Sequence, residues 1–224
     1  MPSTPAETED KPDFTHADIG MVSALALEVA PFVAQCEKVR KYVGGRYTFR
    51  GGKYRGVRIA FAECGMGFAR ARQATQALID AHTPAWVISA GFAGGLVPET
   101  RIGDIVMATS LVDQHDHELS LDLKMVADPA NGLHVGRLLT ADQLVRTVAE
   151  KRELAERHQA LAVDLETLAV AQVCRDTKTR FVSVRVISDD LSADLPPEIL
   201  TIMGSTGSMR VGAAMGALWK RPSS

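Results

Sequence analysis

Three short apolar runs in this chain end in glycine or in acid. Trp86 to Ala90 leads into Gly91-Phe92-Ala93-Gly94-Gly95-Leu96, Ala162-Val163 into Asp164-Leu165-Glu166, and Arg185-Val186-Ile187 into Ser188-Asp189. A near-continuous apolar run of strand length suits a strand buried on both faces of a mainly parallel sheet. Polar groups gathered where such strands run out form the usual ligand crevice of an open α/β scaffold. Any one of these ends could be an ordinary strand terminus with a solvated acid. Together they place the chemistry of the chain along one edge of a sheet.

The rest of the chain supplies the elements for such a sheet. Ile19 to Ser23 reads as a strand, followed at once by helical spacing over Leu25 to Val33 with Glu28 near its start. Tyr47 to Arg50 and Val57 to Cys64 read as paired strands with a turn around Gly51-Gly52, and Ala69 to Ala81 as a helix after Gly65-Met66-Gly67. Gly91 is expected to end the strand Trp86 to Ala90. Further strands are expected at Ile105 to Ala108, Gly132 to Leu139, Leu161 to Val163 and Phe181 to Ile187. A charged, solvent-facing helix is expected over Ala141 to His158, another helix from about Glu166 to Cys174, and a last helical region over Gly207 to Trp219 after the break at Pro196-Pro197. Strands and helices in alternation, with one antiparallel pair early on, predict an α/β fold: a single-domain mixed sheet flanked by helices.

Composition narrows the function. A chain of 224 residues, 46% hydrophobic, closes one sizeable core without needing a second domain. A formal charge of -2, with no run of Lys and Arg, argues against a nucleic-acid partner. Cys36, Cys64 and Cys174 are odd in number and far apart, so they form neither a disulfide framework nor a zinc set; they read as buried thiols of a reducing compartment. Met1 to Asp18, rich in Pro, Thr and acids, reads as a disordered leader on a domain spanning 19–224 of a cytoplasmic protein, and no stretch has the length of a membrane span.

Read singly, the candidate groups stay ambiguous. Glu28 in a first helical turn could simply answer the helix dipole, and Asp189 could be an N-cap, with Ser188 open to the same two readings. Asp164 and Glu166 would share a face in an extended segment and diverge at a helix start. His115 and His117 with Asp113 and Asp116 resemble a metal patch, but only adjacency is visible, and no metal is assigned there. Gly65-Met66-Gly67 lacks the third glycine of a dinucleotide fingerprint and the ending of a P-loop, yet it could still present backbone N–H groups to an anion.

Taken in order, Ile19-Gly20-Met21-Val22-Ser23-Ala24 with Glu28, Gly65-Met66-Gly67, Gly91 to Leu96, Gly103-Asp104, Ala162 to Glu166 and Arg185 to Asp189 resemble the nucleoside phosphorylase type I superfamily. Within it the pattern is most similar to the methylthioadenosine/S-adenosylhomocysteine nucleosidases, and it spans nearly everything after residue 18. The resemblance implies cleavage of the N-glycosidic bond of a purine nucleoside, without a cofactor, by a homodimer. It makes Asp189 the acid at purine N7 and Glu28 the base that activates water. Glu166 would hold the ribose hydroxyls, Ser188 would orient Asp189, Leu165 would pack under the sugar, and Phe92, Ala93, Gly94 and Leu144 would line the pocket.

Three positions depart from the nucleosidase pattern. Phe92 stands where a small hydroxyl residue is common, Leu144 where an aromatic residue stacks on the purine, and Asp164 where a longer acid is usual. The last, with Leu195-Pro196-Pro197, is also similar to the hopanoid-associated nucleoside phosphorylases, which implies a different 5′ group. Phosphorylases of the superfamily carry arginines at positions that fall here on Glu28 and Ser89; neither is basic, so water is the expected nucleophile. A phosphorylase that reaches its anion through Arg70 or Arg72 is one alternative. A nucleoside-binding protein without turnover is the other.

Overall fold

The computed structural model describes residues 16–44 and 47–197. The 1–15 part of the expected leader and the expected helix over Gly207 to Trp219 lie outside the described residues. Ala17 and Asp18, at the end of that leader, are tied to the body: Ala17 N donates to His82 O and Asp18 N to Arg58 O.

Ten strands form one sheet: β1 (Ile19–Ser23), β2 (Glu37–Gly44), β3 (Tyr47–Tyr54), β4 (Val57–Glu63), β5 (Trp86–Gly95), β6 (Ile105–Asp113), β7 (Glu118–Ser120), β8 (Leu133–Thr140), β9 (Ala162–Asp164) and β10 (Arg180–Asp189). Among the described residues four α-helices accompany them: α1 (Ala26–Val33), α2 (Phe68–His82), α3 (Val148–His158) and α4 (Thr167–Asp176). The order is β10-β6-β8-β9-β5-β1-β4-β3-β2, and β10 also pairs with β5. Five strands thus close into a ring, while β1, β4, β3 and β2 extend from it as an open wing. Parallel pairs join β1 to β4 and β5, β10 to β5, and β8 to β6 and β9; the remaining pairs are antiparallel.

The wing, with Val87 of β5, packs Val22, Phe49 and Ala60 against one face of α2 (Ala71, Ala74, Leu78) and against Ala169, Val170 and Val173 of α4. A second apolar cluster inside the ring region joins Ala93, Val106, Leu111, Leu138, Leu168 and Ile187. These buried faces hold α2 and α4 with their N-termini toward the strand ends that carry the acids.

Several elements differ from the sequence reading. The β3–β4 turn is Arg55-Gly56, both at positive φ (49° and 84°), the geometry of a primed two-residue hairpin. Gly51 and Gly52 instead lie inside β3, opposite Ala60 and Ile59 of β4. Gly91 does not end β5, because Arg185 to Asp189 of β10 pair with Gly91 to Gly94 and Ala162-Val163 of β9 with Gly94-Gly95; this cross-strand pairing outweighs the low strand propensity of glycine. The expected helix from Ala141 begins only at Val148. Thr147 caps it, accepting from Glu150 N while the Glu150 carboxylate takes Thr147 N in return. That helix is also not wholly solvent-facing, since Lys151 and His158 are buried. Cys64 and Cys174 are buried thiols as expected, but Cys36 is only half-buried.

Candidate active site

The site is built along Gly91 to Gly94 of β5. Helix α1 follows β1 directly and brings Glu28 to the start of this stretch, where Glu28 Oε1 accepts Phe92 N at 2.9 Å. Its Oε2 accepts Leu25 N at 2.7 Å, which satisfies an otherwise orphan donor at the start of α1. One Glu28 oxygen thus serves the start of α1 and the other the backbone of β5. Gly91 is required here: a Cβ would stand 2.7 Å from Glu28 Oε1 and 3.1 Å from Arg185 Nη1.

Two residues further on, β10 delivers Ser188 and Asp189. Ser188 Oγ donates to Asp189 Oδ1 at 2.7 Å and lies 3.4 Å from Ala93 O. Asp189 is opposite Gly94 across the ladder, after a register shift at Ser188. Such an irregularity turns side chains away from strict alternation. Consecutive polar groups thereby serve the same rim.

Glu166 comes from the other side, as the residue just before α4. It is buried, and its Oε1 accepts Gly67 N at 2.6 Å, at the mouth of α2. The glycine loop thus presents a backbone N–H to the protein's own Glu166 carboxyl. Burial raises the Glu166 carboxyl above the ordinary glutamate range, and the like charge of Asp164 adds to it. Burial likewise raises Glu28, against the lowering pull of Phe92 N–H and of the Arg185 guanidinium.

Beneath these two carboxylates sits a buried polar network. Arg185 Nε donates to Asp164 Oδ2 at 2.7 Å, and Nη2 to Ser89 Oγ at 2.8 Å and Thr167 Oγ1 at 2.6 Å. Asp164 also accepts from Thr140 Oγ1 at 2.9 Å and from the Thr167 hydroxyl. Burial works against the charge on Arg185, but Asp164, Glu28 and Glu166 outweigh it, so its pKa is raised and the guanidinium stays charged. Sequence reading assigned Arg185 and Thr167 no role. The available signal was a lone arginine inside the apolar run Phe181 to Ile187, which a buried strand accepts only when the charge is paired.

The remaining sequence candidates are more scattered. Ala93 is buried, Phe92 and Gly94 are half-buried on β5, and Leu165 packs against the cluster of Leu96, Leu139 and Val163. Leu144 lies half-buried in the irregular stretch between β8 and α3. The His115 to His117 patch closes the β6–β7 turn: Asp113 accepts the backbone N of both histidines and His117 Nδ1, while Asp116 pairs with His158. Arg72 faces Gln172 and Asp176 of α4, and Arg70 lies against Gly65.

The profile of the phosphorylase superfamily matches residues 18–206. The chain belongs to the phosphorylase superfamily. Among curated superfamily relatives, the 5′-methylthioadenosine/S-adenosylhomocysteine nucleosidase of Bacillus subtilis is 27% identical, covering 76% of this chain and 85% of its own. That of Marinomonas sp. is 28% identical, covering 86% and 96%. The solved structure of the Neisseria meningitidis nucleosidase with methylthio-immucillin-A superposes with a TM-score of 0.67 at 25% identity, over 78% of this chain and 87% of that one. Futalosine hydrolase of Helicobacter pylori is similarly close, with a TM-score of 0.65 and 25% identity over 78% and 86%. The protein is thus an enzyme of the nucleosidase type, one that breaks an N-glycosidic bond. Among the described residues no helix is long and apolar enough to cross a membrane.

Proposed function

We propose that the protein hydrolyses the N-glycosidic bond of an adenosyl nucleoside of the methylthioadenosine or S-adenosylhomocysteine kind and releases adenine. The charge balance at the floor of the site carries the choice of water over phosphate. Three carboxylates, Glu28, Glu166 and Asp164, surround one guanidinium, Arg185, which is already bound to Asp164, Ser89 and Thr167. Among the described residues a phosphate dianion would meet at that floor only the committed Arg185, with Arg70 held off at the Gly65 loop, whereas a water and a cationic sugar are both favoured.

Cleavage develops positive charge on the ribose and negative charge on the departing purine. Asp189, aimed by Ser188, serves the purine at N7. Glu28, held by two backbone N–H groups, takes a proton from the attacking water. Gly67 fixes one oxygen of Glu166, whose other oxygen serves the ribose hydroxyls. General acid and base groups placed in this way each contribute about 10²- to 10⁴-fold. The likeness to both the methylthioadenosine/S-adenosylhomocysteine nucleosidases and futalosine hydrolase leaves the 5′ group as the variable, with Phe92, Leu144 and Asp164 as the residues that depart from the nucleosidase pattern. In this reading the enzyme acts as a cytoplasmic homodimer.

The test is chromatography of free adenine from methylthioadenosine, S-adenosylhomocysteine and adenosine, each with and without phosphate. Adenine and free sugar in the absence of phosphate are expected, and Asp189→Asn should slow their release by about 10²- to 10⁴-fold while leaving the protein folded. Release that requires phosphate and yields a sugar 1-phosphate would make it a phosphorylase.

A further inference from the structure

Helix α3 is rich in charge, and most of its charged side chains face solvent. Lys151 and His158 are the exceptions, and the Lys151 side chain is 0% exposed. A lysine is almost never fully buried unless its ammonium is paired, and this one is paired to the site. Lys151 Nζ donates to Asp189 Oδ2 at 2.5 Å and to Asp190 O at 2.9 Å. Ser188 holds the other Asp189 oxygen. The backbone leaves room for the pair at Gly94, where a Cβ would stand 3.1 Å from Asp189 Oδ2 and 3.5 Å from Lys151 Cε.

The acid that must serve the purine is therefore held between a hydroxyl and an ammonium. A fully buried ammonium carries a large desolvation cost even beside a carboxylate that keeps 16% exposure, and position alone could be secured by a neutral donor. What an ammonium adds is a proton it can give up. We infer that Lys151 is the positioning residue of the leaving-group acid, fixing the Asp189 carboxylate and replacing through it the proton delivered to the purine.

The inference rests on the nucleosidase reading above, and its proton balance closes. One N–H bond of Lys151 breaks as an O–H bond forms on Asp189, and Asp189 passes one proton to purine N7 as the glycosidic C–N bond breaks. The bonding pair of that bond leaves with the purine. The attacking water forms the new C–O bond and loses its proton to Glu28. Asp189 ends as the carboxylate it began as, Lys151 as a neutral amine and Glu28 as a neutral acid, so the net charge is unchanged. Lys151 then regains a proton from water and Glu28 loses one to it.

The experiment is a double-mutant cycle read in kcat and KM for adenine release, using native enzyme, Lys151→Met, Asp189→Asn and the double variant. Lys151→Met should lower kcat by about 10²-fold or more, the scale of a lost general acid, with KM little changed. In the Asp189→Asn background the same change should cost nothing further. Lys151→Gln, which keeps a hydrogen-bond donor but has no proton to give, should lose kcat equally while melting at the native temperature, which covers the case in which the methionine variant fails to fold. Retained kcat in Lys151→Gln, or equal losses with and without Asp189, would overturn the inference while adenine release by the native enzyme keeps the nucleosidase reading intact. No release by the native enzyme from any adenosyl nucleoside would overturn both.

Discussion

Replacing Asp164 by alanine tests whether the buried network is what supports the site floor. The Asp164 and Arg185 side chains are 1% and 3% exposed, so neither can turn to water when its partner is lost. The substitution removes the Arg185 Nε bond, the Thr140 hydroxyl bond and both Thr167 contacts. Arg185 keeps Ser89, Thr167 and Val184 O as acceptors, but loses its nearest counter-charge. Removing one member of a buried pair costs about 3 to 5 kcal/mol. At about 2 to 4 °C per kcal/mol for a domain of this size, the melting temperature should fall by roughly 6 to 20 °C. Circular dichroism during thermal and guanidinium unfolding reads both quantities. Asp164→Leu combined with Arg185→Met should lose far less than the sum of the two single changes, because no uncompensated charge remains. A loss below about 1 kcal/mol in Asp164→Ala, or additive losses in the double variant, would refute the view that the pair is energetically coupled.

Three further outcomes follow from the same geometry. Gly91→Ala should displace Glu28, since the new Cβ lies 2.7 Å from Oε1; a shift approaching 1 Å costs on the order of 10² in kcat, read in the adenine-release assay while melting shows an intact fold. The Glu28 and Glu166 carboxyls are both raised on folding, so the folded state binds more protons than the unfolded one above the ordinary glutamate value. Their contribution to stability is then fully present below that value and is lost as pH rises through their folded values, so Glu166→Gln should stabilise the protein at neutral pH and flatten that decline in a melting series. Because Glu28 must be ionised to act as base, kcat/KM should instead rise with pH through its raised value, giving activity and stability opposite slopes.

Much of the fold is legible in the sequence because its signals are local. The run Trp86 to Ala90, the helical spacing of Ala69 to Ala81 and the strand Ile19 to Ser23 each carry their period within a few residues, and each is found in place. Where the reading differs, partners distant in the chain decide. Gly51 and Gly52 read as a turn until β2 and β4 flank them, and Gly91 reads as a strand end until β9 and β10 extend the ladder. The strand β2 itself, Glu37–Gly44, has the charged make-up of a sheet edge and little apolar signal.

For the site, the sequence by itself determined the acids. Glu28, Glu166, Ser188 and Asp189 stand at strand or helix ends whose positions follow from hydrophobic period, and their order along the chain carries the family resemblance. Only the tertiary structure decided what surrounds them. Arg185 becomes the hub of three carboxylates because β10 lies between β5 and β6, and Lys151 reaches Asp189 because α3, starting late behind its Thr147 cap, places one lysine of a charged helix against the end of β10. Charge carries no period, so a lysine bound for the interior looks the same in sequence as one bound for water. Packing alone tells them apart, since the cost of burial is met only where a carboxylate waits.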